Sequence, residues 1–132
     1  MTEDERSIDH LEVMIENANM ALSFVEGLDF AAFKADNKTP YAVAMTIVAI
    51  GEMSSRILHR NPGLAERHPE VPWHQMTGMR NRIAHDYNSI DLTDVWKIVQ
   101  DSLPDLTLRI PPILKPLRDK YDPQRSTPTP DS

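Results

Sequence analysis

The chain has 132 residues and a mass of 15.0 kDa, with 40% hydrophobic and 26% charged residues, the size of one domain around one core rather than of a two-domain enzyme. Its formal charge of −6 excludes a protein that coats nucleic acid through its whole surface, and zero cysteines exclude disulfides, thiolate metal sites and a cysteine nucleophile. The acidic N-terminus lacks the basic-then-apolar order of a signal peptide, and the longest apolar run, Tyr41 to Ile50, is interrupted by Thr46, so a cytoplasmic protein without a membrane span is expected.

Charge is distributed unevenly. Residues 1–36 carry nine acids against Arg6 and Lys34, whereas residues 37–90 carry six bases against four acids and hold His59, His68, His74 and His85. A polyanion site therefore belongs in the middle of the chain. Glycine is scarce and period-2 alternation is nearly absent, so an all-α fold is predicted.

From Arg6 to Glu26, Ile8, Leu11, Ile15, Ala18, Leu22 and Val25 recur at steps of three and four and form the stripe of a first long helix, which Gly27 ends. Asp29 caps a short turn whose Phe30 and Phe33 close one end of the bundle. Thr39 followed by Pro40 reads as an N-cap with proline at the first helical position, and a second helix runs to about His59. With Val43, Ile47, Ile50 and Ile57 on one stripe and Met45, Val48 and Met53 beside it, this helix is predicted to be central, and Asn61-Pro62-Gly63 to break it.

A third helix begins near Trp73 and carries MTGMRNRIAHDY. Met76, Met79 and Ile83 form its core edge, while Thr77, Arg80, Asn81, Ala84 and His85 form a second, small-and-polar stripe that suits a close crossing with another helix, including a copy of itself about a two-fold axis. Asp91 caps a last long helix with Leu92, Val95, Val99, Leu103, Leu106 and Ile110 at helical spacing, and Pro104 should kink it by removing a bond to the Gln100 carbonyl. Residues 1–121 are assigned to one helical domain, and residues 122–132, rich in proline, serine and threonine, to a disordered tail.

Two readings of the Trp73 to Tyr87 segment compete. In one, Arg80 pairs with a nearby carboxylate, Asn81 caps, and His85 ends a helix where a cation is favourable. In the other they form an active site: Arg offers a forked donor for phosphate oxygens, His exchanges a proton near neutral pH, and Asn supplies a neutral hydrogen bond. His59, His68 and His74 lack the spacing of a helical metal site, so no metal or other cofactor is expected. Trp73 and Trp96 read as packing anchors and the methionines as core filler.

The run RNRIAHDY, Arg80 to Tyr87, resembles the R-x4-H-x-Y signature of HEPN-domain ribonuclease toxins of the HepT type. IGEMSSRI (Ile50 to Ile57), ERHPEVPWHQMTGMRN (Glu66 to Asn81) and DLTDVWKIVQDSLPDL (Asp91 to Leu106) resemble the same family, over about residues 8–115. The resemblance implies a four- to five-helix up-down bundle that forms a homodimer and cleaves RNA without metal. It implies catalysis by Arg80 and His85 with Asn81 in support, and it places Glu52 and Arg56, an i,i+4 pair on the central helix, near the groove. It also implies a nucleotidyltransferase antitoxin of the MNT type that transfers AMP to Tyr87, with no membrane or DNA partner. The alternative of a different class is a catalytically silent HEPN subunit that binds a nucleotidyltransferase.

Overall fold

The computed structural model describes residues 1–85 and 87–126, and among these every regular element is helical. Helix α1 spans Glu3–Phe24 and begins three residues before the expected start at Arg6, because a capping box fixes its start. Thr2 Oγ1 accepts from the Glu5 amide at 3.1 Å, and Glu5 Oε1 accepts from the Thr2 amide at 3.3 Å. Glu3, Asp4 and Glu5 then place negative charge on the positive end of the helix. Beyond Phe24 the chain turns at Gly27, whose φ of 79° is costly for any residue with a Cβ.

Helix α2 (Phe30–Ala35) is capped as expected, with Asp29 accepting from the Ala32 amide at 2.8 Å. Its Phe33 is fully buried, and Phe30 and Phe33 pack at 5.9 and 5.0 Å from the Trp96 ring. Burying one such aromatic stabilises by about 1.5–3 kcal/mol, so this six-residue helix is held by packing rather than by its own propensity.

Helix α3 (Thr39–Arg60) starts differently from the sequence reading. Thr39 lies inside the helix, and the cap comes from Asp36, whose Oδ1 accepts from the Lys38 and Thr39 amides at 2.7 and 3.1 Å. Those hydrogen bonds to the charged form hold the Asp36 carboxyl below its ordinary value. By length and composition α3 is apolar enough to cross a bilayer, contrary to the expectation from Thr46, yet half of its most apolar window is buried inside the bundle. The Thr46 hydroxyl donates to the Val43 carbonyl at 2.6 Å and so spends its polarity within the helix.

Asn61 does not simply break α3. It accepts from the Leu64 amide at 3.4 Å and starts a short α4 (Pro62–Arg67), while its amide nitrogen donates to Asp4 at 2.8 Å and to Ser7 at 3.0 Å. The end of α3 therefore meets the beginning of α1, and the two run antiparallel. Helix α5 (Trp73–His85) returns along the other side of α3. It ends at His85, and Tyr87 opens a separate 3-10 turn, Tyr87–Ser89, so the expectation that Tyr87 continues the helix is overturned. Asp86 lies outside the described residues.

Helix α6 (Leu92–Lys97) begins on Asp91, which accepts from the Thr93 and Asp94 amides at 3.0 and 3.2 Å. A π segment, Ile98–Ser102, separates it from α7 (Leu103–Arg109). The disturbance expected at Pro104 takes this form: the Leu103 N–H reaches the Ile98 carbonyl one residue farther back than in an α-helix, and Pro104 sits in the first turn of α7, where its missing N–H is cheap. Helix α8 (Pro111–Tyr121), which follows the last helix read from spacing and lies within the 1–121 helical domain, buries Ile113 and Leu114 and bonds Arg118 to Glu12 of α1 at 3.4 Å. One more helical turn, α9 (Pro123–Ser126), occupies the start of the segment expected to be a disordered tail, and residues 127–132 lie outside the described residues.

The core is continuous across these elements. Leu11, Met14 and Ala18 of α1 meet Val43, Ile47, Ile50 and Ile57 of α3, Met76, Met79 and Ile83 of α5, and Leu103, Leu106 and Ile110. Not every expected core residue is inside: Met45 is 66% exposed and Met20 is also at the surface, and Tyr41 beside Met45 on the same face is 59% exposed.

Candidate active site

The site is built on the crossing of α3 and α5. Gly51 is buried there, and a Cβ at that position would run into the Arg80 Cβ and lie 2.7 Å from the Met76 carbonyl oxygen. Only glycine lets the two backbones approach so closely. One turn along, the buried Ser54 hydroxyl donates to the Trp73 carbonyl at 2.6 Å, and the Trp73 indole N–H donates to the His68 carbonyl at 3.0 Å. Trp73 is 4% exposed, in keeping with a packing anchor. These contacts fix which face of α5 looks outward and at which level of α3 Arg80 emerges.

Arg80 is held on two sides. Its Nη2 lies 3.1 Å from Glu52 Oε2, and its Nη1 donates to Asn81 Oδ1 at 2.8 Å. Its Nε is buried with no hydrogen-bond partner among the described residues. The Glu52 carboxylate also lies 3.5 Å from Arg56 Nε, so one acid bridges two guanidiniums. Both pairs are more than a third exposed, and such pairs contribute about 0–1 kcal/mol to stability. Their effect is orientation, because each terminal nitrogen of the guanidinium keeps a second N–H for another acceptor.

His85 ends α5 and is exposed. With Arg80, Asn81, Arg82 and Ala84 it lines a shallow open groove of about 580 Å³. Five residues along a helix are about 7.5 Å apart in rise and about 140° apart in rotation, so Arg80 and His85 stand at opposite edges of the exposed stripe. Arg82 ties this end of α5 to α6 through Asp94 at 3.1 Å. A larger cavity of about 730 Å³ lies toward the start of α5, lined by Leu58, His59, Trp73 and His74 among others, and Arg80 and His85 are not part of it. Among the described residues no group of three or more His, Asp or Glu is placed to hold a metal ion.

Sequence spacing thus brought Arg80, Asn81, Ala84 and His85 to one groove, and it paired Glu52 with Arg56. It offered Arg80 a nearby carboxylate without naming one; the structure supplies Glu52, 28 positions away, and the sequence reading missed Gly51. A glycine inside an otherwise apolar helix was the available signal of a close approach.

A helical bundle with Arg80 and His85 in R-x4-H spacing on one exposed groove is what the resemblance to HEPN domains implies. The family model described as "Ribonuclease HepT-like" matches residues 14–113. The chain is similar to a Thermococcus cleftensis protein named "Probable ribonuclease HepT", with 35% identity over 98 residues that cover 74% of this chain and 86% of that one. It is also similar to a Methanocaldococcus jannaschii protein named "Putative RNase", with 36% identity over 93 residues covering 70% and 83% respectively. No solved structure matches. The chain belongs to the HepT-like ribonuclease family, whose substrate class is RNA.

Proposed function

We propose that the protein is the toxin of a HEPN/MNT toxin–antitoxin pair, a homodimeric endoribonuclease that cleaves RNA through its own 2′-hydroxyl without a metal ion. The observation that carries this reading is the oriented Arg80, fixed by Glu52 and Asn81, on the same open groove as His85. His85 takes the proton of the 2′-OH, whose oxygen attacks the adjacent phosphorus. Negative charge collects on the non-bridging oxygens of the phosphorane, where the free N–H groups of Arg80 stabilise it. The bond to the 5′-oxygen breaks and that oxygen is protonated, leaving a 2′,3′-cyclic phosphate and a 5′-hydroxyl.

One chain offers one histidine for two proton transfers. A second copy docked on the exposed faces of α3 and α5 would bring another to act as the acid. Tyr41 and Met45, exposed at 59% and 66%, supply apolar surface for such a contact on the side of α3 that leads toward His85. Tyr87, two residues beyond His85, is the position we assign to modification by an MNT-type nucleotidyltransferase, which would add negative charge and bulk beside the groove. We place the pair in the cytoplasm.

Purified protein incubated with RNA and EDTA is expected to leave cyclic phosphate ends. His85→Ala and Arg80→Ala should each lower the rate about 10²-fold or more with an unchanged melting curve. Cleavage that survives His85→Ala, or that stops with EDTA, would overturn the mechanism. A stable inert protein that still binds a nucleotidyltransferase would identify it as a silent binding subunit.

A further inference from the structure

We propose that the C-terminal end of α3 forms a second phosphate subsite, in which Arg56 and Arg60, with the His10 ring beside them, hold the phosphate of the RNA strand next to the one bound at Arg80. The inference rests on the ribonuclease reading and extends it to how the strand is held.

Three observations converge on this end of the helix. First, a chain of charged groups leads there from the groove: Arg80 to Glu52 at 3.1 Å and Glu52 to Arg56 at 3.5 Å, with Arg60 one turn farther on. The step from Arg56 to Arg60 is about 6 Å along the helix, comparable with the spacing of successive phosphates in an extended single strand. Second, the strip is short of acid. Two guanidiniums, Arg80 and Arg56, share the Glu52 carboxylate, and Arg60 is exposed with no ion pair or hydrogen bond among the described residues.

Third, His10 of α1 faces this end of α3 and is half-buried, and its Nδ1 is buried without a hydrogen-bond partner among the described residues. Burial first, then Arg56 and Arg60, push its pKa below the ordinary value, while Asp9 and Glu3 oppose them less strongly. Glu3 is itself paired with Arg6. A phosphate arriving there would be met by both guanidiniums and would favour protonation of the ring.

The test compares Arg60→Ala with the parent on two substrates, a dinucleoside monophosphate with one phosphate and a ten-nucleotide RNA. For the decamer KM is expected to rise about tenfold with kcat unchanged. The dinucleotide should be cleaved equally by both proteins, and Arg60→Lys should restore most of the loss. Binding of a 2′-O-methyl decamer, which cannot be cleaved by 2′-OH attack, is followed in parallel by anisotropy against salt. Loss of one phosphate contact should make the slope of log K against log salt shallower by about 0.7. The His10 ring resonances should shift on adding this decamer to the parent and shift far less in Arg60→Ala.

If the parent cleaves RNA and Arg60→Ala matches it on the decamer, the subsite is overturned and the catalytic reading stands. If both substrates suffer equally, Arg60 serves the catalytic groove and the subsite is likewise overturned. If the parent cleaves nothing but the 2′-O-methyl decamer still binds through Arg60, the subsite holds and the catalytic reading falls.

Discussion

The outward face of α3 divides into two halves of opposite character. Toward its start the face is Tyr41, Met45, Val48 and Ala49, apolar and in part highly exposed; toward its end it is Glu52, Arg56, His59 and Arg60. Because α5 runs antiparallel, the apolar half lies on the side leading to His85 and the charged half beside Arg80. An apolar surface of that exposure is suited to a protein contact, whereas a guanidinium strip is suited to phosphates. On the proposed reading, one helix would separate assembly from substrate binding, with Gly51 and Glu52 at the boundary.

The largest expected effect comes from spoiling the apolar half. With Tyr41→Arg and Met45→Arg together, a dimer formed there should become monomeric in sedimentation, and cleavage should fall about 10²-fold through loss of the second histidine. A variant that stays dimeric and active would move assembly to another surface, and the division of α3 would lose its meaning. The neighbouring Ala84→Trp should act in the same direction, since it adds bulk on the adjoining stripe of α5.

At the boundary, Gly51→Ala should lower stability by about 1–3 kcal/mol, read from the denaturant midpoint at constant slope, because the new Cβ forces α3 and α5 apart. Alanine is otherwise the better helix former by about 1 kcal/mol, so a gain in stability would show that the crossing is looser than described. Glu52→Gln keeps the shape and removes the charge that fixes Arg80. It should lower kcat about tenfold while moving stability by less than about 1 kcal/mol, as expected of an exposed ion pair that positions rather than stabilises.

The smallest effects concern the two ends of α3 and share one pH sign, because both groups have depressed pKa values and the unfolded chain binds each proton more readily. At its start, Asp36 has a depressed pKa, so its contribution is present above the ordinary 3.8 and is lost as pH falls through the depressed value. Asp36→Ala should melt lower than the parent at neutral pH, and the gap should close in acid. At its other end His10 also has a depressed pKa, so the unfolded chain binds the proton more readily, and the parent loses stability as pH falls below 6.5. His10→Gln should remove that modest loss, measured as a flatter dependence of melting temperature on pH between neutrality and about pH 5.

Much of this arrangement is local and was legible without the fold. The apolar steps of α1, the Asp29 and Asp91 caps, the turn at Gly27 and the core edge Met76, Met79 and Ile83 each depend on residues within a few positions of one another. Local reading erred where two local solutions were open. Thr39 could have capped α3, but Asp36 offers a carboxylate to two amides, which is the stronger acceptor. The apolar spacing was followed only to Ile110, yet the chain goes on as α8, with Pro111 and Pro112 in its first turn, where no intrahelical donor is lost, and Pro116 in its interior.

The sequence by itself determined that Arg80, Asn81, Ala84 and His85 share one helical stripe, since periodicity follows from 3.6 residues per turn whatever the helix packs against. Only the tertiary structure decided what that stripe faces. The docking of Gly51 and Ser54 against α5 sets the level at which Glu52 meets Arg80, and the antiparallel return of α1 brings His10 to Arg56 and Arg60. Those juxtapositions join residues tens of positions apart, so they exist only once buried faces have chosen their partners, and no spacing along the chain encodes that choice.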